Sequence, residues 1–174
     1  MRKIKYYVAC SVDGFIARKD GSFGDFIVEG EAVNDYIESL KLFDIVLMGR
    51  KTYEVGLKEG KTNPYPMMKS YVFSRSMKES PDEQVELVSQ NASELVRSLK
   101  NEPGKDIYLC GGANLATMLF AQNLIDEIIL KVNPFVMGSG IPLFGEVIKP
   151  TSLELTNSKI YESGVLLLNY RVKL

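Results

Sequence analysis

The sequence predicts an α/β domain with a mostly parallel central sheet that gains antiparallel strands at its C-terminal end. Three observations carry that prediction. Short, nearly continuous apolar runs recur at Ile4–Cys10, Asp44–Met48, Tyr71–Ser74 and Ile107–Cys110, as expected of strands buried on both faces. Helical patterns separate most of them, and a strand–helix–strand rhythm implies right-handed crossovers between parallel strands. The last third changes style. Ile128–Val132 stops at Asn133-Pro134, and Leu153–Tyr161 and Val165–Lys173 flank Glu162-Ser163-Gly164, a hairpin signal. A chain of 174 residues is expected to form one domain over 1–174.

The first strand, Ile4–Cys10, leads into a glycine-flanked loop. Glu31–Phe43 then carries Val33, Tyr36, Ile37 and Leu40 at helical spacing, so those residues are expected to face the core, with Glu31, Asp35 and Glu38 toward solvent. Lys58–Pro66 and Lys78–Glu83 read as surface loops. Val85–Val88 is a weaker strand, expected near an edge. Asn91 and Glu94 are spaced as a capping box ahead of Leu95, Val96 and Leu99. Ala113–Leu124 buries Leu115, Met118 and Leu119 as a further helix.

Composition removes several function classes. The formal net charge of −1 supplies no field for nucleic acid or an anionic membrane, so neither is expected as a partner. Histidine is absent, which eliminates Ser–His–Asp and Cys–His nucleophilic schemes. The two cysteines, Cys10 and Cys110, form no CxxC pair and read as buried thiols, so no metal site is expected. No apolar run reaches about 18 residues and no signal peptide precedes Arg2–Cys10, so a cytoplasmic protein is expected.

Ligands of open α/β sheets bind at the carboxyl ends of the strands. Four segments there are unusual. Gly49-Arg50-Lys51-Thr52 leaves one strand for a helix whose free N–H groups and basic side chains suit a phosphate. Ser74-Arg75-Ser76 is a hydroxyl–guanidinium–hydroxyl cluster fit for a phosphate monoester. Gly111-Gly112-Ala113-Asn114 lets backbone approach a ligand at a helix N-terminus, although it lacks the GxGxxG spacing. Ser11–Ala17 has the apolar, glycine-flanked character of a flap over a flat ring.

With these segments in this order, the sequence resembles the dihydrofolate reductase superfamily. It looks closest to the branch of the reductase domain of the bifunctional riboflavin-biosynthesis deaminase-reductase and its stand-alone relatives. The matching stretches are Ala9–Ala17, Leu47–Glu54, Val72–Arg75, Gly111–Leu115 and Pro134–Phe144. The resemblance implies a dihydrofolate reductase-like three-layer fold that binds NADPH. On its pattern Ala9 and Ile16 line the nicotinamide, and Gly49, Arg50, Lys51 and Thr52 flank the pyrophosphate and adenosine. Ser74 and Arg75 hold the 2′-phosphate. Gly111, Gly112, Ala113 and Asn114 pass the pyrophosphate and nicotinamide ribose. Asp13, Val33 and Cys110 fall on the substrate side, Asp13 shaping the flap.

Two departures bear on the substrate. Riboflavin-pathway reductases usually carry a glutamate just before the paired glycines, where this chain has Cys110. Dihydrofolate reductases carry an acid on the first helix, where ungapped spacing places Val33. The expected activity is therefore that of a stand-alone NADPH-dependent reductase of a small polar ring or conjugated carbonyl compound, with dihydrofolate a poor substrate. The alternatives are the riboflavin-pathway aminouracil reductase itself and a non-catalytic NADP-binding protein. No catalytic proton donor is named by the sequence. A homodimer is expected, because relatives of this branch often pair and Val165–Leu168 is unusually apolar for an edge strand.

Overall fold

The computed structural model describes residues 1–146 and 149–173. Its strands are β1 (Ile4–Cys10), β2 (Phe15–Ala17), β3 (Phe43–Gly49), β4 (Lys69–Phe73), β5 (Val85–Val88), β6 (Asp106–Gly111), β7 (Glu127–Val132), β8 (Ile141–Pro142), β9 (Leu153–Ile160) and β10 (Leu166–Val172). The helices are α1 (Glu31–Ser39), α2 (Arg50–Lys58), α3 (Ala92–Asn101) and α4 (Ala113–Ala121). Eight strands form one sheet in the order β5-β4-β3-β6-β1-β7-β10-β9. Neighbours are parallel from β5 through β7, and β10 runs antiparallel to both β7 and β9. This is the dihydrofolate reductase-like fold, mostly parallel with antiparallel C-terminal strands.

The apolar runs are explained by burial on both faces. Tyr6, Leu47 and Leu109 pack with Val96, Leu99, Leu115 and Leu119 on the side of α3 and α4. Their sequence neighbours Tyr7, Val46 and Tyr108 pack with Leu40, Tyr53 and Met68 on the side of α1 and α2. Adjacent residues point to opposite faces of a strand, so a strand covered on both sides shows no alternation. Val85–Val88 does lie at an edge.

Several local expectations are corrected by tertiary contacts. The helix expected over Glu31–Phe43 stops at Ser39. A 3-10 turn covers Leu40–Leu42, and Phe43 joins β3 opposite Asp106. Ile37 is 54% exposed whereas Ala32 is 3% exposed. The helix turns Ala32 toward Tyr161 and Val165, a contact between distant segments that helical period alone does not contain. The capping box does not form, because Asn91 is left-handed (φ 53°) and makes no side-chain cap. The side chain caps from extended backbone. Val165 is fully buried and Leu166–Leu168 are half-buried, because β10 is interior to the sheet; the free edge is β9. The ribbon of β2 with β8 was missed, being too short to show a period. Among the described residues no helix is long and apolar enough to cross a membrane.

Candidate functional site

Strand order decides what gathers at the carboxyl edge. β3 and β6 are neighbours, and each runs through a glycine into a helix: Gly49 precedes α2 and Gly112 precedes α4. Neither cap makes a side-chain hydrogen bond, so the first N–H groups of both helices have no side-chain acceptor. The two turns nearly touch. A Cβ on Gly49 would lie 3.5 Å from Gly112 N, and one on Gly112 would lie 3.2 Å from Thr52 Oγ1. Gly111 has φ 119°, a conformation side chains resist, and the Gly111–Gly112 peptide is cis. Gly49, Thr52, Gly111 and Gly112 thus lie side by side at the carboxyl edge, with Ala113 and Asn114 opening α4 beside them.

β4 lies beside β3 and adds the basic patch. Ser74 Oγ accepts from the backbone N–H groups of Ser76 (3.2 Å) and Met77 (3.0 Å), which shapes the turn. Arg50 Nη1 donates to Ser76 Oγ at 2.5 Å, so Arg50 belongs with the Ser74–Ser76 cluster. Arg75 and Lys51 are exposed, and among the described residues neither has a carboxylate within ion-pair distance. Ser76, grouped with Ser74 and Arg75 in the sequence, lies on the same turn, its Oγ 3.5 Å from Ser74 Oγ.

The flap closes the other end. Ser11 N–H donates to Phe15 O at 2.9 Å, folding β2 back toward the end of β1, where Ala9 and Ile16 are both half-buried. Asp13 is not a free substrate-side carboxylate. It accepts from Ser11 Oγ (2.6 Å), Met137 N (2.9 Å) and Gly138 N (2.7 Å), stapling the flap to the 135–138 loop. The bond from Ser11 and those backbone donors hold its carboxyl down at about 2. Farther along that loop, Leu143 O accepts from Tyr6 OH at 3.1 Å, and the Phe144 ring packs on Tyr6 and Phe120.

The depressed value fixes the sign of a pH effect. The folded carboxyl titrates below its ordinary value of 3.8, so the staple is fully present above about pH 4 and is lost as pH falls through about 2. The Gly138 amide resonance, followed by NMR on acidification, is expected to shift with a midpoint near 2 in the wild type and not to titrate there in Asp13→Asn. A wild-type midpoint at 3.8 refutes the staple.

On the α1 face, hydroxyls form a chain the sequence did not announce. Tyr36 OH lies 2.9 Å from Tyr108 OH and 3.2 Å from Tyr65 OH, and Tyr65 OH lies 3.4 Å from Cys110 Sγ. Burial raises the pKa of Cys110 and of all three tyrosines, keeping them protonated at neutral pH. Tyr108 and Cys110, two apart on one strand, were the available signal. Val33 is half-buried on α1. Asp35 faces solvent as helical phase suggested, its side chain 40% exposed, but it is not free. It accepts from Lys159 Nζ (2.7 Å) and Tyr161 OH (2.8 Å), and those bonds lower its pKa. Fully buried Asn133 accepts from Ile27 N at 3.0 Å and donates to Lys131 O at 3.1 Å.

Known proteins share this fold. The family model described as the RibD C-terminal domain matches residues 2–167. The chain is 39% identical over 168 residues to YwjB of Bacillus subtilis strain 168, covering 95% of this chain and 96% of that one. It is 34% identical over 180 residues to YyaP of the same organism, covering 97% and 94%. Among solved structures, a putative riboflavin biosynthesis protein from Shewanella sp. PV-4 superposes with TM-score 0.84 and 26% identity over the whole of both chains. The deaminase/5-amino-6-(5-phosphoribosylamino)uracil reductase of Thermotoga maritima shares the fold at TM-score 0.74 and 14% identity, with 57% of its length covered. Matching the family model over nearly its full length, with two relatives above 30% identity, the chain belongs to the RibD C-terminal domain family.

Proposed function

We propose that the protein is a stand-alone NADPH-dependent reductase of a small, flat, polar ring or conjugated carbonyl compound. The observation that carries this reading is the near-contact of the glycine turns at Gly49 and Gly112, two helix N-termini converging beside Ser74–Arg75–Ser76. The N–H groups at these two adjacent helix N-termini suit a pyrophosphate, so we read the carboxyl edge there as the crevice for a dinucleotide backbone. The N–H groups after Gly49 and Gly112, with Thr52 and Asn114, would hold the pyrophosphate. Arg50, Ser74, Arg75 and Ser76 would hold the 2′-phosphate, with Lys51 nearby. Ala9 and Ile16 would bound the nicotinamide. When bound, the cofactor supplies the hydride. The chain's own contribution is orientation, exclusion of water by the flap, and a proton from a neutral group such as Cys110 or Tyr65.

Cys110 in place of a glutamate argues against the aminouracil as substrate. Asp35, ionised and committed to Lys159 and Tyr161, argues against dihydrofolate. The test is NADPH oxidation followed against a panel of pterins, aminopyrimidines and quinones. NADPH binding without oxidation of any of them would favour a non-catalytic NADP-binding protein.

Arg75 gives the cofactor preference. One charge-assisted contact to the extra phosphate corresponds to about a tenfold to hundredfold preference for NADPH over NADH. Arg75→Ala is expected to erode it in paired calorimetric titrations, and equal wild-type affinity for the two cofactors refutes the assignment. We further propose a homodimer, formed through the β9 edge, where Leu155 is 53% and Ile160 80% exposed. Light scattering at micromolar concentration is expected to give twice the chain mass.

A further inference from the structure

Lys131 stands on β7 with its Cα opposite Ala9 of β1 on one side and Leu167 of β10 on the other. Strand alternation puts it on the face of Ile129, Tyr7 and Leu167, the side covered by α1. It is half-buried near the carboxyl end of its strand, beside the residue the family pattern sets against the nicotinamide. Among the described residues its ammonium has one partner, the backbone carbonyl of Ile27 at 3.3 Å. That is long for a charge-assisted bond, which ordinarily spans about 2.7–2.9 Å.

The other withdrawn lysines are treated differently. Lys100 Nζ meets Asp126 at 2.6 Å, and Lys5 Nζ meets Asp106 at 3.0 Å and Glu127 at 3.3 Å. Among the described residues no carboxylate lies within ion-pair distance of Lys131. Burial lowers its pKa and no neighbouring acid opposes the shift. A cation taken partly out of water with two N–H groups to spare is uncompensated, and an anionic oxygen would compensate it. A purely structural tie to Ile27 does not account for the charge, because Asn133 Oδ1 already holds Ile27 through its N–H at 3.0 Å.

We propose that Lys131 is the substrate-docking residue of the crevice and that the substrate presents a carboxylate, or an equally anionic oxygen, to its Nζ. The inference rests on the reading of the crevice as a reductase site and names the class of substrate that site takes. It places the anion on the α1 side of the sheet, across β1 from Cys110 and apart from the phosphate patch at Arg50 and Arg75.

The test is calorimetric binding of benzoate and of its uncharged analogue benzamide to the whole protein, saturated with NADP⁺. Wild type, Lys131→Met and Lys131→Arg are compared, with NADPH affinity and melting temperature measured for each. The wild type is expected to prefer benzoate by about tenfold or more, the scale of one charge-assisted contact. Lys131→Met is expected to erase the preference at unchanged NADPH affinity and melting temperature, and Lys131→Arg to keep part of it. The proposal is overturned if the wild type shows no preference or binds no benzoate at millimolar concentration. It is also overturned if Lys131→Met keeps the preference, or if that variant loses NADPH affinity and stability together, the mark of a structural tie. A wild type that fails to bind NADPH sinks the reductase reading instead, and the same titrations run without NADP⁺ still decide for or against Lys131.

Discussion

Gly112→Val is expected to yield a folded protein that binds NADPH at least about a hundredfold more weakly than the wild type, the loss of roughly two charge-assisted contacts. Gly112 has φ −92° and ψ −156°, which valine tolerates, so backbone strain is not the cause. Space is. The first added carbon already lies 3.2 Å from Thr52 Oγ1, and valine adds two methyl groups to it at the N-terminus of α4. Those N–H groups are what the pyrophosphate would use. Gly24→Ala is the control, since a methyl there meets nothing within 4 Å. Calorimetric titration with NADPH and a thermal melt together check the prediction. Normal binding by the valine variant would mean that the paired glycines form only a turn, and the proposed function would lose the observation that carries it.

Asp126→Ala is expected to cost about 3–5 kcal/mol of stability, the usual price of stranding one member of a buried ion pair. Asp126 Oδ2 accepts from Lys100 Nζ at 2.6 Å and from the Ile4 N–H at 2.7 Å, tying α3 to the start of the first strand. The Lys100 side chain is 8% exposed and that of Asp126 29%. The asymmetry orders the variants. Removing the acid leaves a nearly buried ammonium with only the Leu124 carbonyl at 3.2 Å, whereas Lys100→Met leaves a carboxylate that water can partly solvate. Lys100→Met should therefore cost less than Asp126→Ala. At about 2–4 °C per kcal/mol for a chain of this size, Asp126→Ala should melt about 6–20 °C below the wild type. A shift of only a degree or two would show the pair to be superficial. NADPH affinity should survive in both variants, because the pair lies at the amino ends of the strands, opposite the crevice.

Sequence and structure agree best where a single segment carries the signal. Ile4–Cys10 and Val85–Val88 have the expected bounds. The hairpin around Glu162-Ser163-Gly164 pairs as expected, though the edge strand is its first arm and not its second. Gly111-Gly112 and Gly49 were visible because glycine at a strand-to-helix turn is a local requirement. That the two turns touch depends on β3 and β6 being neighbours, although 56 residues lie between Gly49 and Asp106, and no window of sequence contains that.

The sequence by itself determined the strands of the main sheet, the buried faces of α3 and α4, and the segments that follow the strands at the carboxyl edge. Apolar periodicity and glycine placement act over a few residues, so they can be read without the rest of the chain. Tertiary structure alone decided which charges are used and which are left over. Asp13 was consumed by an amide 125 residues away, and Asp35 by Tyr161, 126 residues away. Lys131 was left with a lone carbonyl 104 residues distant. The reason is physical: a charge's role is set by its desolvation and its nearest opposite charge, and both depend on what the folded chain brings within a few ångströms.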